Sequence, residues 1–259
     1  MQPLTLSLVQ SETCWHDCAA NLKLFSTWLQ QVPDESDLVL LPEMFSTGFT
    51  MASAEVAQSM QGEAVVWLQA RAVALQKHIC ASVVVNDAGR YFNRFVCATP
   101  AGELFTYDKR HLFRMAGEHE HYSAGQDRLV FEVNGWRVMA SVCYDLRFPV
   151  WLRNSNDYDL MVCVANWPAA RQSAWNTLLR ARSIENQTFV AGVNRVGTDG
   201  NGVVYAGGSG VYAPDGEILA EQMEHADIIT TTLNPATLLS LRSSFPAWQD
   251  ADEFRLVEK

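Results

Sequence analysis

Along the first ten residues Leu4, Leu6 and Leu8 alternate with Thr5 and Ser7, and a two-residue period predicts a strand with one apolar face. Further on the period lengthens. Leu22, Phe25, Leu29 and Val32 recur every three or four residues, Asp17 stands where an N-cap belongs and Pro33 lies just beyond, so the spacing predicts a helix. The run DLVLL at 37–41 is apolar on both faces and predicts a buried strand. A second helical stripe is formed by Val65, Leu68, Ala72, Leu75 and Ile79, leading into the strand ASVVV.

Turn signals divide the middle of the chain. DAG at 87–89 and PAG at 100–102 separate ASVVV, RYFNRFVCAT and ELFTYD into a meander. Asn134-Gly135 predicts a tight hairpin, because a type I′ turn needs positive φ at both central residues; it joins RLVFEV to WRVMASVC. The second half alternates strand DLMVCVA, helix SAWNTLLRARSIE and strand TFVAGV. A hairpin around Asp215-Gly216, strand ADIITTTL and a helix capped at Asn234-Pro235 complete it. Buried strands interleaved with one-sided helices predict sheets covered by helices, a layered α/β fold. No linker or repeat interrupts the pattern, so residues 1–259 read as a single domain.

Composition narrows the function. The chain is 48% hydrophobic and 19% charged, as in a packed globular enzyme. A net charge of −10 without any basic run argues against nucleic acid and anionic membranes, both of which need clustered Lys and Arg. No apolar run is long enough to span a bilayer, and the first ten residues lack the charged and apolar regions of a secretion signal, so a cytoplasmic location is expected. The six cysteines form no CxxC pair, which predicts reduced and mostly buried thiols.

Three reactive side chains stand just past the carboxyl ends of predicted strands: Glu43, Lys109 and Cys143. Ligands bind at that edge in sheet-based enzymes. A cysteine that attacks a carbonyl, a carboxylate that moves protons and an ammonium that holds the oxyanion make a complete set for acyl transfer. A free thiol titrates near about 8.5, and a Lys109 ammonium beside Cys143 is expected to favour the thiolate, with Glu43 as proton acceptor.

The segments LLPEMF around Glu43, YDKRHLF (107–113) and VCYDLRFP (142–149) resemble, in order, the three catalytic blocks of the nitrilase superfamily, the carbon-nitrogen hydrolases. RARSIENQTFVAGVNR (180–195) resembles the helix and strand that come after them in that family. The resemblance implies a four-layer αββα sandwich without metal or organic cofactor. It implies Glu43 as general base, Lys109 as oxyanion stabiliser and Cys143 as nucleophile. Glu118 matches the family's second glutamate, with Glu120 two residues on as the alternative register, and the backbone N–H of Tyr144 matches its second oxyanion donor. A homodimer paired through the outer helices is also implied.

Within the superfamily, LPEMFSTGF, HLFRMAGEH, CYDLRFPVW, VANWP and FPAWQDADEFR are most similar to bacterial omega-amidases, which release ammonia from dicarboxylic acid monoamides such as 2-oxoglutaramate. Such a small-molecule amide carries a distal carboxylate that calls for a cationic partner. Arg147 is the first candidate, with a turn-bracing role as the alternative reading; Arg171 and Arg195 are the next. Trp167 is a candidate pocket wall or a core residue. Three competing readings are a Cys-His hydrolase using His111 or His119, a metal site in the EHEH run at 118–121, and a non-catalytic binding protein.

Overall fold

The computed structural model describes residues 1–256. The chain opens with β1 (Leu4–Gln10), α1 (Cys18–Leu29) and β2 (Leu38–Leu40), then the short α2 (Ser53–Val56) and α3 (Glu63–Leu75). Next come β3 (His78–Asp87), β4 (Arg90–Ala98), β5 (Leu104–Asp108), the single-turn α4 (Glu118–His121), β6 (Val130–Val133) and β7 (Trp136–Val142). The chain continues through β8 (Leu160–Ala165), α5 (Gln172–Asn186), β9 (Phe189–Asn194), β10 (Val196–Thr198), β11 (Val204–Tyr212) and β12 (Ile218–Met223). It ends in β13 (Asp227–Leu233) and α6 (Pro235–Ser244).

The strands form two sheets, ordered β13-β1-β2-β3-β4-β5 and β10-β11-β9-β8-β7-β6, with β12 paired to β11. Leu4, Leu6 and Leu8 of β1 and Leu38 and Leu40 of β2 share one core with Val138, Val162 and Val190 of the other sheet. On the outer face of the first sheet, Val9, Val39 and Ile79 pack with Phe25 of α1 and Leu68 of α3. On the second sheet, α5 lies so close to β9 that a Cβ at Gly192 would stand 2.6 Å from Leu179. Helices therefore cover both sheets, and the αββα sandwich is the arrangement that buries every apolar face.

Local signals hold where backbone chemistry is decisive. Asp17 accepts the Ala20 N–H at 2.9 Å, Asn234 caps α6, and Asn134 and Gly135 have φ of 49° and 81°. Two expectations change. Ile79 belongs to β3 rather than to the second helix, which stops at Leu75 as Gln76 turns left-handed with φ of 54°. β1 is buried on both faces, since the hydroxyls of Thr5 and Ser7 are satisfied by Thr232, Ser36 and Thr230 at 2.7–2.9 Å and need no water. The β10–β11 hairpin stands between Val193 and the Asp215 turn, where the sequence pattern named no element.

β2, β5, β7 and β8 all run the same way within their sheets and carry their carboxyl ends to one edge of the sandwich. Glu43, Lys109, Cys143 and Asn166 stand just past these four ends.

Candidate active site

Four of the predicted residues meet at that edge. Glu43, Lys109 and Glu118 are buried to within 1% of complete, and Cys143 is 8% exposed. The Lys109 Nζ donates to Glu43 Oε1 at 2.9 Å and to both Glu118 oxygens at 3.0 and 2.9 Å. Glu118 also accepts the Phe113 N–H at 2.6 Å, which ties α4 to the turn before it. Asn93 of β4 donates from one amide nitrogen to both carboxylates, at 2.7 Å to Glu43 and 3.2 Å to Glu118. Its own carbonyl is held by Ser82 Oγ at 2.8 Å. The second Glu43 oxygen, Oε2, accepts the Asn166 N–H at 2.8 Å.

Cys143 stands on a sharp turn. β7 ends at Val142, Cys143 adopts φ of 46°, and a short 3-10 helix runs from it to Arg147. A left-handed residue without glycine's freedom is held there by its surroundings. Asp145 supplies the hold: it accepts the Val142 N–H at 3.0 Å, the Tyr107 hydroxyl at 2.8 Å, and the His111 N–H and Nδ1 at 3.0 and 2.8 Å. Arg182 of α5 donates twice to the Leu146 carbonyl. The Tyr144 N–H lies in the first turn of this helix, where amides lack acceptors within the helix.

The electrostatics of the cluster derive from burial. Desolvation works against the Lys109 charge, but Glu118 and Glu43 outweigh it and hold the ammonium well above the ordinary lysine value. Burial raises the Glu118 carboxyl, with Lys109 opposing and Glu43 adding to the rise. Cys143 corrects an expectation. Burial first, and the neighbouring Glu43 carboxylate second, push its thiol well above the ordinary value despite Lys109. Burial and Glu43 together thus favour the thiol over the thiolate.

Cys143 opens onto a cavity of about 260 Å³ whose lining includes Lys109, Tyr144, Arg147, Asn166 and Trp167. The Arg147 guanidinium lies 4.9 Å above the Trp167 ring, and that of Arg171 5.1 Å above Phe113. Among the described residues no carboxylate pairs with either. Trp167 is both wall and core, 2% exposed and held by Asn194 Oδ1 and the Arg171 carbonyl.

The family profile described as carbon-nitrogen hydrolase matches residues 5–243. The chain belongs to the carbon-nitrogen hydrolase family. It is 49% identical over 99% of its length to the whole of an Escherichia coli protein named omega-amidase YafV. It is 32% identical over 95% of its length to 96% of a Bacillus subtilis 2-oxoglutaramate amidase. A crystal structure of XC1258 from Xanthomonas campestris, described as a CN-hydrolase superfamily protein with an arsenic adduct in its active site, superposes with a TM-score of 0.97 at 47% identity. That match covers 99% of this chain and 100% of the other.

Against the background of the carbon-nitrogen hydrolase family, the competing readings separate. His111 gives its Nδ1 to Asp145, and its ring stacks on Phe148 at 3.7 Å, so it braces the nucleophile turn. The EHEH run is a single helical turn: Glu118 points into the cluster, Glu120 is exposed, and no group of three metal-ligating side chains exists among the described residues. Arg195 does not line the cavity; it is buried behind Tyr205, its guanidinium 4.7 Å from that ring. Sequence reasoning missed Asn93, Ser82, Asp145 and Asn166. A signal existed for the first two, as polar residues set within apolar strands.

Because the Cys143 thiol is raised, it stays protonated in the free protein through neutral pH and ionises only above the ordinary cysteine range. The thiolate absorbance of the wild type, minus that of Cys143→Ala, should therefore rise above pH about 8.5. A thiolate already formed at pH 7 would contradict this assignment.

Proposed function

We propose that the protein is an omega-amidase, hydrolysing the terminal amide of small dicarboxylic acid monoamides of the 2-oxoglutaramate type. The observation that carries the reading is the buried Glu43–Lys109–Glu118–Cys143 cluster opening on a small cavity whose wall presents guanidinium groups that no carboxylate pairs among the described residues. The names of the Escherichia coli and Bacillus subtilis relatives support it. The whole chain acts as one domain in this proposal, since both sheets contribute to the one site, and it needs no cofactor.

The reaction begins as Cys143 Sγ attacks the amide carbon and its proton passes to Glu43. The carbonyl oxygen becomes an oxyanion, held by the Lys109 ammonium and the Tyr144 N–H. The C–N bond then breaks, the nitrogen takes the proton from Glu43, and ammonia leaves a thioester on Cys143. Water gives a proton to Glu43 and attacks the thioester; the C–S bond breaks, the acid departs, and Glu43 returns the proton to the sulfur, restoring thiol and base. Glu118 keeps the ammonium in place throughout, gripping it with both oxygens. Glu43 is the essential base in this scheme, because the raised thiol does not ionise unaided.

Arg147 reads the substrate's distal carboxylate. A charge-assisted hydrogen bond is worth about 1.5 to 3 kcal/mol, which is roughly ten- to a hundredfold in binding. The reading includes a homodimer in the cytoplasm. Ile184 on α5, Leu239 on α6 and Phe245 beyond it are exposed apolar side chains that a second copy would cover.

Two measurements test these statements. Arg147→Met should lower kcat/KM for a monoamide bearing a free carboxylate by about ten- to a hundredfold while leaving an uncharged amide of similar length nearly unchanged; equal losses on both would make Arg147 a brace of the turn. Light scattering should give twice the chain mass of 28.9 kDa, and a monomer at micromolar concentration would refute the dimer.

A further inference from the structure

Two arginines line the cavity that holds Cys143, and the proposed reaction uses only Arg147. Arg171 is the other. It ends the short 3-10 helix Ala169–Arg171 that leads into α5, and its backbone is pinned on both sides. Its N–H donates to the Pro168 carbonyl at 2.9 Å, and its carbonyl accepts the Trp167 indole N–H at 2.9 Å. The side chain then reaches from the second sheet to the turn that follows β5. Its guanidinium lies 5.1 Å over the Phe113 ring, and its Nη1 stands 4.0 Å from the Met115 sulfur. Phe113 and Met115 both line the cavity, so the charged end is placed against the cavity wall.

Stacking fixes a guanidinium by its face and leaves its five N–H donors, which lie in the plane, free to meet acceptors at the edge. A thioether is a weak acceptor, and among the described residues no carboxylate pairs with Arg171. Asp199 also lines the cavity, but its Oδ1 accepts the Asn201 and Val203 N–H groups and its Oδ2 the Tyr205 hydroxyl, each at 2.9 Å. An oriented cation on a cavity wall without an anionic partner is suited to an oxygen of the ligand.

The shape of the substrate identifies that oxygen. With the amide carbon at Cys143, the carboxylate stands at the far end of a short chain, where Arg147 takes it. In a 2-oxo acid the oxo group is bonded to the carbon next to this carboxylate, so its oxygen stands beside the carboxylate oxygens. The two arginines meet at one tryptophan: the Arg147 guanidinium lies 4.9 Å over Trp167, whose indole N–H binds the Arg171 carbonyl. The cavity volume is that of a sphere only about 8 Å across, so a ligand that fills it meets both side chains.

We propose that Arg171 is a specificity-determining residue: its guanidinium donates to the 2-oxo oxygen while Arg147 holds the adjoining carboxylate, so that the site prefers 2-oxo monoamides to the same monoamides without the oxo group. The proposal rests on the amidase reading above and adds to it the residue that selects among related monoamides.

The test compares 2-oxoglutaramate with glutaramate, which lacks only the oxo group. In Arg171→Met, kcat/KM for 2-oxoglutaramate should fall about tenfold further than kcat/KM for glutaramate, the loss expected for one hydrogen bond from a charged donor. Ring closure of 2-oxoglutaramate in water lowers its open-chain concentration by the same factor for parent and variant, and leaves this contrast untouched. The contrast should also appear without turnover: in a Cys143→Ala background, Arg171→Met should weaken binding of 2-oxoglutaramate about tenfold more than binding of glutaramate. Arg171→Leu should behave alike and serves if the methionine variant does not fold. Equal losses on the two compounds would make Arg171 a carboxylate or wall contact and overturn the proposal, as would no loss on either. A parent enzyme that releases ammonia from neither compound would instead overturn the amidase reading.

Discussion

The ammonium of Lys109 is withdrawn from water, and Glu43 and Glu118 meet its charge. A charge in that position is tolerated only when its hydrogen bonds are complete, and removing one partner of such a buried pair costs about 3 to 5 kcal/mol. The requirement reaches across the molecule. Glu43 lies just past β2, Lys109 just past β5, and Glu118 begins α4, so the pairing draws three separate segments of the chain to one point. Asn93 and Ser82 complete the donor set from β4 and β3. The second sheet then brings Cys143 and Asn166 against this point from the other side of the sandwich, where burial first and the Glu43 carboxylate second raise the thiol despite Lys109. A carboxylate base is therefore required to activate it.

The sequence was most legible where chemistry is tied to a strand end. Glu43, Lys109 and Cys143 each stand just past the end of a strand legible in the sequence, and the order of their three blocks pointed to the family ahead of the fold. Glu118 was reached through the resemblance alone, because nothing in EHEH separates the inward glutamate from its exposed neighbours; only the fold turns Glu118 toward Lys109 and leaves Glu120 outside. Asn93 left a signal only as a polar residue within an apolar strand, and Asn166 left none; their partners lie 50 and 123 residues away in the chain. The same limit explains β1, which reads as half-buried by alternation yet is enclosed, since hydroxyl pairing with β13 removes the need for a wet face. Arg195 misled in the opposite direction: a cation near a strand end, it is stacked on Tyr205 and kept from the cavity.

Substrate selection under the proposed function is divided between two groups around one small cavity: the oxyanion donors would recognise a carbonyl and the guanidinium of Arg147 a distal anion. Both depend on Cys143 standing at the turn that Asp145 and Arg182 hold in a left-handed conformation. The central claim is that the sulfur of Cys143 becomes acylated. Acid quenching of the enzyme during turnover of a dicarboxylic acid monoamide, with intact and peptide mass analysis of the quenched protein, measures this directly. The account predicts an adduct equal to the substrate less ammonia, confined to the peptide carrying Cys143. Steady ammonia release with no adduct at any quench time, or an adduct on another residue, would contradict it.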